Sequence, residues 1–423
     1  MLPDPVACFL VLALAALVGV PLAAWKLRGR LYAAFGFAML AFSLPGAWVT
    51  LGQLASWLAE PWRELASWAF VWGMAAATVH LLHLLRARLR GRVFRALASV
   101  PGQTFIAASV MAGPWQLVLW PLRGALSAAD LEAAMLAAHW LDLVPYALGV
   151  VSVVTSARPV TEWVRIQLGG DGPARLTRVP VQRTRRRPPE RADRPLRLVQ
   201  IADPHLGPWL SSRRLRRSIE QLLQHEPDLV LLTGDFLTME GNATRGALTE
   251  ALSPLRDRPE RCFAIFGNHD HEAQEEVRGA LAANGIRLLI DAEACVDTPA
   301  GAVQIVGADY VRKGRDEHLG KLFSRHPRRP DHLRLLLLHD PSAFHHVPAG
   351  EVDLTLSGHT HGGQIGLVSL GLDWTVLSRS RWPDHGLFAR GTSRLYVHRG
   401  TGFYGFPLRV GVPGEASVLE LLR

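Results

Sequence analysis

Cysteine and lysine are scarce in this 423-residue chain, and both scarcities exclude something. The three cysteines, Cys8, Cys262 and Cys295, have no paired spacing. A disulfide framework and a structural zinc knuckle built on thiolates are therefore both disfavoured, and the redox compartment is not legible from cysteine. Positive charge rests almost entirely on arginine, within a formal net charge of +9. No internal repeat is visible, so solenoid and propeller architectures do not apply. The first apolar run lacks a basic leader and a small-residue cleavage site, so it reads as a retained anchor rather than a signal peptide.

What is abundant is apolar side chains, at 49% of residues. The excess lies before about residue 157, and the two halves of the chain differ in kind. Residues 5–25, 31–51, 66–85, 103–122 and 134–156 are each about long enough to cross a bilayer. Gly113-Pro114 interrupts the fourth, which neighbouring helices can accommodate. Trp48, Trp57, Trp62, Trp68, Trp72, Trp115, Trp120 and Trp140 fall mostly towards span ends, as an aromatic belt would. Lys26, Arg28 and Arg30 follow the first span, and Arg86, Arg88, Arg90, Arg92 and Arg95 follow the third. The second and fourth loops carry little net positive charge. Positive-inside counting predicts a multi-pass protein of the inner or plasma membrane, its N-terminus outside and its second half in the cytoplasm. His80, His83, His139 and Asp142 lie in or near spans. Their proximity to span ends favours a structural reading over an ion pathway.

Domain boundaries follow from composition. Residues 1–157 form a membrane region, 158–195 a basic Pro/Arg-rich linker, and 196–423 a layered α/β domain. Within the linker, 174–182 alternates well enough for an edge strand, and Arg183–Arg187 reads as a basic loop. Arginines beside a bilayer can bind anionic headgroups at about 1 kcal/mol each. Without interleaved aromatics, no nucleic-acid partner is expected.

Five short apolar runs in the second half each end in metal-binding side chains. They deliver Asp203-Pro-His205, Gly234-Asp235, Gly267-Asn268-His269-Asp270, His339 and Gly358-His359-Thr-His361. A buried strand reads as such a run, and open α/β sheets present ligands beyond the carboxyl ends of their strands. Further strands are predicted at 303–307 and 394–398. Helices are predicted from Ser211 or Ser212 through Leu223 and over Glu272–Asn284, the latter closed by Asn284-Gly285. Asp, Asn and His suit Mn, Fe, Zn or Co. Seven donors exceed one four-coordinate ion; with one carboxylate shared they would fill two sites, the arrangement that clamps both oxygens of a phosphoryl displacement.

These motifs, in this order, resemble the calcineurin-like metallophosphoesterase family over roughly residues 174–423, and the apolar spans ahead of them resemble its multi-pass transmembrane type. Arg399-Gly400-Thr-Gly402, Pro407-Leu-Arg409 and Pro413-Gly-Glu415 are similar to the tail of its bacterial branch, with Gly414 departing from the usual Pro-Pro-Glu. The resemblance implies a four-layer α/β sandwich of two mixed β-sheets flanked by helices, preceded by the all-α transmembrane region. It implies two divalent metal ions, one on Asp203, His205 and His361, the other on Asn268, His339 and His359, with Asp235 bridging. His269 becomes the candidate general acid, oriented by Asp270, and a hydroxide between the cations the nucleophile. The implied activity is hydrolysis of a phosphomonoester, phosphodiester or pyrophosphate, with a lipid-linked or nucleotide-sugar-lipid substrate in view of the spans. The rival is a membrane sensor that binds ligand there without turnover. Asp340, His345 and His346 read as loop residues, His271 as surface or pocket rim, and Gln364 as a possible substrate contact.

Overall fold

The structure, a computed structural model, describes residues 3–156, 158–189, 194–207, 209–239, 241–403 and 408–422. The chain divides into two compact units, the first formed mainly by residues 1–154 and the second mainly by residues 155–423.

The first unit is helical. Pro5–Arg28, Arg30–Trp57, Trp62–Leu84, Arg92–Ala128 and Glu132–Val153 are five helices long and apolar enough to cross a membrane. The fourth passes through both Pro114 and Pro121. Small residues let the helices approach: a Cβ on Gly46 would fall 2.0 Å from the Ser109 carbonyl oxygen, and one on Gly102 would fall 2.5 Å from the Ala76–Ala77 backbone. Some polar groups of this unit pair with one another. Asp142, fully buried, pairs with Arg123 at 2.8 Å and accepts from Gln116 at 2.7 Å, while His80 meets the Gln103 side chain.

The second unit holds fourteen strands among the described residues: β1 Val160–Gln167, β2 Thr177–Arg178, β3 Gln182–Thr184, β4 Leu196–Ile201, β5 Leu229–Leu232, β6 Cys262–Ala264, β7 Arg287–Leu288, β8 Ala292–Thr298, β9 Gly301–Gly307, β10 Leu333–Leu337, β11 Leu354–Ser357, β12 Gly386–Arg390, β13 Ser393–Val397 and β14 Glu415–Leu422. They form two mixed sheets, ordered β3-β1-β14-β4-β5-β6-β7 and β2-β12-β13-β11-β10-β9-β8. At the centres β4, β5 and β6 run parallel, as do β9, β10, β11 and β13. Leu is a good helix former, yet β5 and β10 are leucine-rich strands because every one of their residues is buried. Leu198, Leu231 and Phe263 of one sheet share a core with Ile305, Leu335 and Leu356 of the other. Each such side chain contributes about 1.5–3 kcal/mol on burial. The predicted helices form at Ser212–Leu223 and Gln274–Ala283. Arg315–Arg325 buries Leu319, Leu322 and Phe323 against the second sheet.

The stretch expected as a linker is largely sheet. Val160–Gln167 lies parallel to β14 in an eight-residue register, its Val164 and Ile166 in the inter-sheet core, and Arg165 pairs with Glu420 at 2.9 Å. Its charges mask a strand whose polar members are answered by the next strand. The expected edge strand at 174–182 divides: Thr177–Arg178 joins β12 of the second sheet, and Gln182–Thr184 joins β1 of the first. Pro180, between them, has no N–H to give either ladder. Arg183, expected in a loop, is therefore in β3; residues 190–193 of that stretch lie outside the described residues.

Candidate metal centre

Seven of the predicted donors come from strand ends. Asp203 and His205 follow β4, Asp235 follows β5, Asn268 follows β6, His339 follows β10, and His359 and His361 follow β11. Because these strands are parallel within their sheets, their carboxyl ends open on the same side. The loops are strained where they deliver ligands. Asp203, His205, Asp235, His359 and His361 all have φ between 42° and 70°, a region sparsely used by residues with a Cβ. Two glycines permit the close approach. A Cβ on Gly358 would lie 2.1 Å from Oδ2 of Asp203, and one on Gly267 would lie 2.2 Å from Oδ1 of Asp235.

The donors gather into two trios, the buried Asp203, His205 and His361, and the buried Asp235 and His339 with the half-buried His359. Nε2 of His205 and Nε2 of His361 are 3.2 Å apart, and Nε2 of His361 is 3.6 Å from Oδ1 of Asp203. Oδ2 of Asp235 lies between the trios, 3.6 Å from Nε2 of His205 and 3.2 Å from Nε2 of His339. Oδ1 of Asn268 is 3.2 Å from Nε2 of His339, which adds it to the second trio. Ligands about 2.0–2.2 Å from one cation stand roughly 3–3.5 Å from each other, so these separations are the edges of coordination polyhedra. The residues present fit two divalent cations.

The surroundings orient the donors. Nδ1 of His339 lies 2.7 Å from the Thr233 carbonyl oxygen, so its N–H donates there and Nε2 faces the site. The Asp203 carboxylate accepts from the His359 backbone N–H at 2.9 Å. Arg409, buried, donates to the Arg399 carbonyl and comes within 3.4 Å of Nδ1 of His361. Burial pushes His205 down to about 3 and His359 down to about 4, leaving both as neutral imidazoles able to bind metal. Burial alone would raise Asp235, but the histidines around it outweigh that and hold it well below the usual carboxylate range. Asp203 is pushed by burial up to about 7. Burial opposes the charge on His339, yet Asp235 beside it raises it to about 10. Those protons stand where cations would.

Asp270 does not orient His269. Its carboxylate is fully buried and accepts from three backbone N–H groups: Asp235 at 2.7 Å, Phe236 at 2.8 Å and Gly267 at 2.8 Å. It ties the loop after β5 to the loop after β6, a task its chain position beside His269 does not reveal. The carboxylate beside the His269 imidazole is Glu272, 3.4 Å from Nδ1. Burial works against the imidazolium, but Glu272 and Asp235 outweigh it and raise the His269 pKa. The spacing of three within a helical turn was the available signal for Glu272.

Tyr310, beyond the end of β9, is a second residue that sequence reasoning missed; its ring centroid is 6.4 Å from those of His339 and His359. The strand before it was predicted, and its end would have pointed there. His271 is half-buried, with Nε2 3.1 Å from Asp309. Asp340, expected as a loop residue, is buried, caps the turn after β10 through Ser342 and pairs with Arg315 at 2.5 Å. Gln364 takes a left-handed conformation just after His361. From the expected tail motif, Glu415 is buried against Arg399, while Pro407 lies outside the described residues.

Known proteins place this geometry. The family model for calcineurin-like phosphoesterases matches residues 196–363. Phosphodiesterase YaeI of Escherichia coli is 29% identical over 233 residues, spanning 54% of this chain and 83% of the relative. The uncharacterized metallophosphoesterase YkoQ of Bacillus subtilis is 31% identical over 242 residues, spanning 54% of this chain and 85% of the relative. A transmembrane protein with metallophosphoesterase domain from Bos taurus is 28% identical over 341 residues, spanning 74% of this chain and 69% of the relative. That last stretch is too long for the second unit alone. With the strand-end donors, the two mixed sheets and these relatives in agreement, the chain belongs to the calcineurin-like metallophosphoesterase family.

Proposed function

We propose that this chain is a membrane-anchored phosphoesterase that hydrolyses a phosphomonoester, phosphodiester or pyrophosphate on two divalent cations. The observation that carries the reading is the position of Oδ2 of Asp235, within 3.6 Å of one donor trio and 3.2 Å of a member of the other. Asp203, His205 and His361 hold one cation; Asn268, His339 and His359 hold the second, and Asp235 is shared. Two cations in these places supply Lewis acidity at phosphorus and an acidified water as nucleophile. The chain's own residues do the rest. His269 donates a proton to the leaving oxygen, and Glu272 beside it favours the protonated imidazole. Asp270 holds the loops of Asp235 and Asn268 in register. The arginines after the first, third and fifth spans favour a cytoplasmic catalytic unit. Attachment to five apolar helices favours a lipid-linked or lipid-derived phosphoester.

The test is turnover of aryl phosphomonoesters and phosphodiesters by the purified full chain, with manganese added and bound metal measured on the same sample. Metal-stimulated hydrolysis is expected. Two bound metals with no turnover would instead identify a sensor that binds ligand without chemistry.

A further inference from the structure

The segment directly after His361-Gly-Gly exposes its large apolar side chains. Thr375 anchors it: the side chain is buried and its hydroxyl donates to Asp384 at 2.5 Å, and Ser378 donates to the same carboxylate at 3.3 Å. Its apolar side chains point to solvent. Leu367, Leu370, Leu372, Trp374, Val376 and Trp382 are all exposed, Leu370 at 73% and Trp374 at 47%. The loop is nonetheless well ordered by its backbone. Leu367 N–H donates to the Trp374 carbonyl at 2.8 Å, Val376 N–H to Ile365 at 3.0 Å, and Ser369 N–H to Gly411 at 2.8 Å. An ordered loop that exposes two tryptophans and three leucines leaves a large apolar area with no partner in water.

Charge decides what covers it. Arg379 and Arg381 are exposed on the same loop, the latter's guanidinium 5.1 Å from the Trp382 ring centroid. A cavity of about 420 Å³ joins the loop to β3, with Val368, Ser369 and Gly371 on one side and Arg183 and Arg185 on the other. Asp373 is the one exposed carboxylate between residues 365 and 382. Apolar side chains flanked by tryptophan and arginine are the composition of a segment lying in a membrane interface, tails below and phosphates beside. A protein partner would be met by a rim mixed in sign.

We propose that the 365–382 loop, with Arg185, docks on an anionic phospholipid bilayer surface. Leu370, Leu372 and Trp374 enter the acyl boundary, and Arg185, Arg379 and Arg381 take lipid phosphates. The loop begins four residues beyond His361, and Val376 and Leu377 pack against Gly363. Docking therefore brings the candidate metal centre to the lipid surface. The inference rests on the loop and its arginines, independently of turnover.

The experiment uses the full chain in nanodiscs of phosphatidylcholine, with or without phosphatidylglycerol, in a Cys8→Ser background in which Cys262 stays buried. A fluorophore is placed on Leu370→Cys with Cys295→Ser, or on native Cys295 as control, since β8 is the edge of the second sheet farthest in strand order from β2. Brominated acyl chains should quench the label at 370, more strongly with phosphatidylglycerol, and leave the label at 295 bright. Arg379→Gln with Arg381→Gln should weaken docking on the anionic bilayer roughly 25-fold, about fivefold per arginine. A label at 370 that is open to aqueous iodide and untouched by brominated lipid overturns the proposal. So does one shielded from both, which would mean that protein covers the patch. If Leu370→Cys does not fold, the same label goes on Leu372. Aryl phosphoester turnover in the same nanodiscs is a separate readout, so loss of docking and failure of the phosphoesterase reading are told apart.

Discussion

Removing the Asp270 carboxylate should cost the metal centre its frame before it costs any chemistry. In Asp270→Ala, the N–H groups of Asp235, Phe236 and Gly267 lose their acceptor inside a fully buried site. A buried donor left without a partner costs about 1–3 kcal/mol, so three give about 3–9 kcal/mol before relaxation. That is comparable to the whole stability of a domain, about 5–15 kcal/mol. Asp270→Asn is the sharper probe because it keeps the size. Its single carbonyl oxygen, placed at the Oδ2 position, still serves Asp235 and Gly267, and only the Phe236 N–H faces an amide donor. The expected loss is then about 1–3 kcal/mol. The assay is a thermal melt of the detergent-solubilised chain together with metal content by elemental analysis. Asp270→Asn should melt earlier and hold less metal, and Asp270→Ala should be worse on both. An Asp270→Asn chain with unchanged melting and full metal, but slow turnover, would refute the frame and return Asp270 to a role on His269.

Four further outcomes follow from the same geometry. Asp235→Ala should lose both metals by elemental analysis, whereas His269→Ala should keep them and lose about 10²–10⁴-fold in kcat; metal depletion in His269→Ala would reassign that residue as a ligand. Glu272→Gln removes a carboxylate that raises the His269 pKa, so the imidazole deprotonates earlier and the alkaline limb of kcat/KM against pH moves to lower pH, with metal content unchanged. Metal binding should release protons: near neutrality the metal-free site holds one on His339, raised to about 10, and part of one on Asp203, raised to about 7. Apparent metal affinity should therefore rise with pH through neutrality, and calorimetry in buffers of different ionisation enthalpy should count at least one proton released. Gly358→Ala would place a methyl 2.1 Å from Oδ2 of Asp203, and it should lower metal occupancy selectively at the trio of Asp203, His205 and His361.

Much of this protein is written locally. Five apolar spans, the short buried runs and the metal-binding residues at their ends can each be read within a few residues, because helix length, strand burial and ligand chemistry are short-range properties. Seven donors and their order along the chain were legible in that way, and the family resemblance supplied their division between two sites. What stayed hidden depends on partners far along the chain. β1 is a strand because β14, some 255 residues on, lies beside it and Glu420 answers Arg165. The 174–182 stretch alternates like one strand, but which sheet each end joins is settled by β12 and β1. Asp270 adjoins His269 in sequence, yet its carboxylate turns away to three backbone N–H groups. In the 365–382 loop the same leucines and tryptophans would read as core, and only their exposure in the folded chain, with Thr375 buried beneath, shows that they face out. Sequence determined which side chains carry the chemistry and which segments are apolar. Tertiary structure decided where each side chain points, because direction is set by non-local pairing and by the need to satisfy every buried N–H, and neither is encoded at the residue itself.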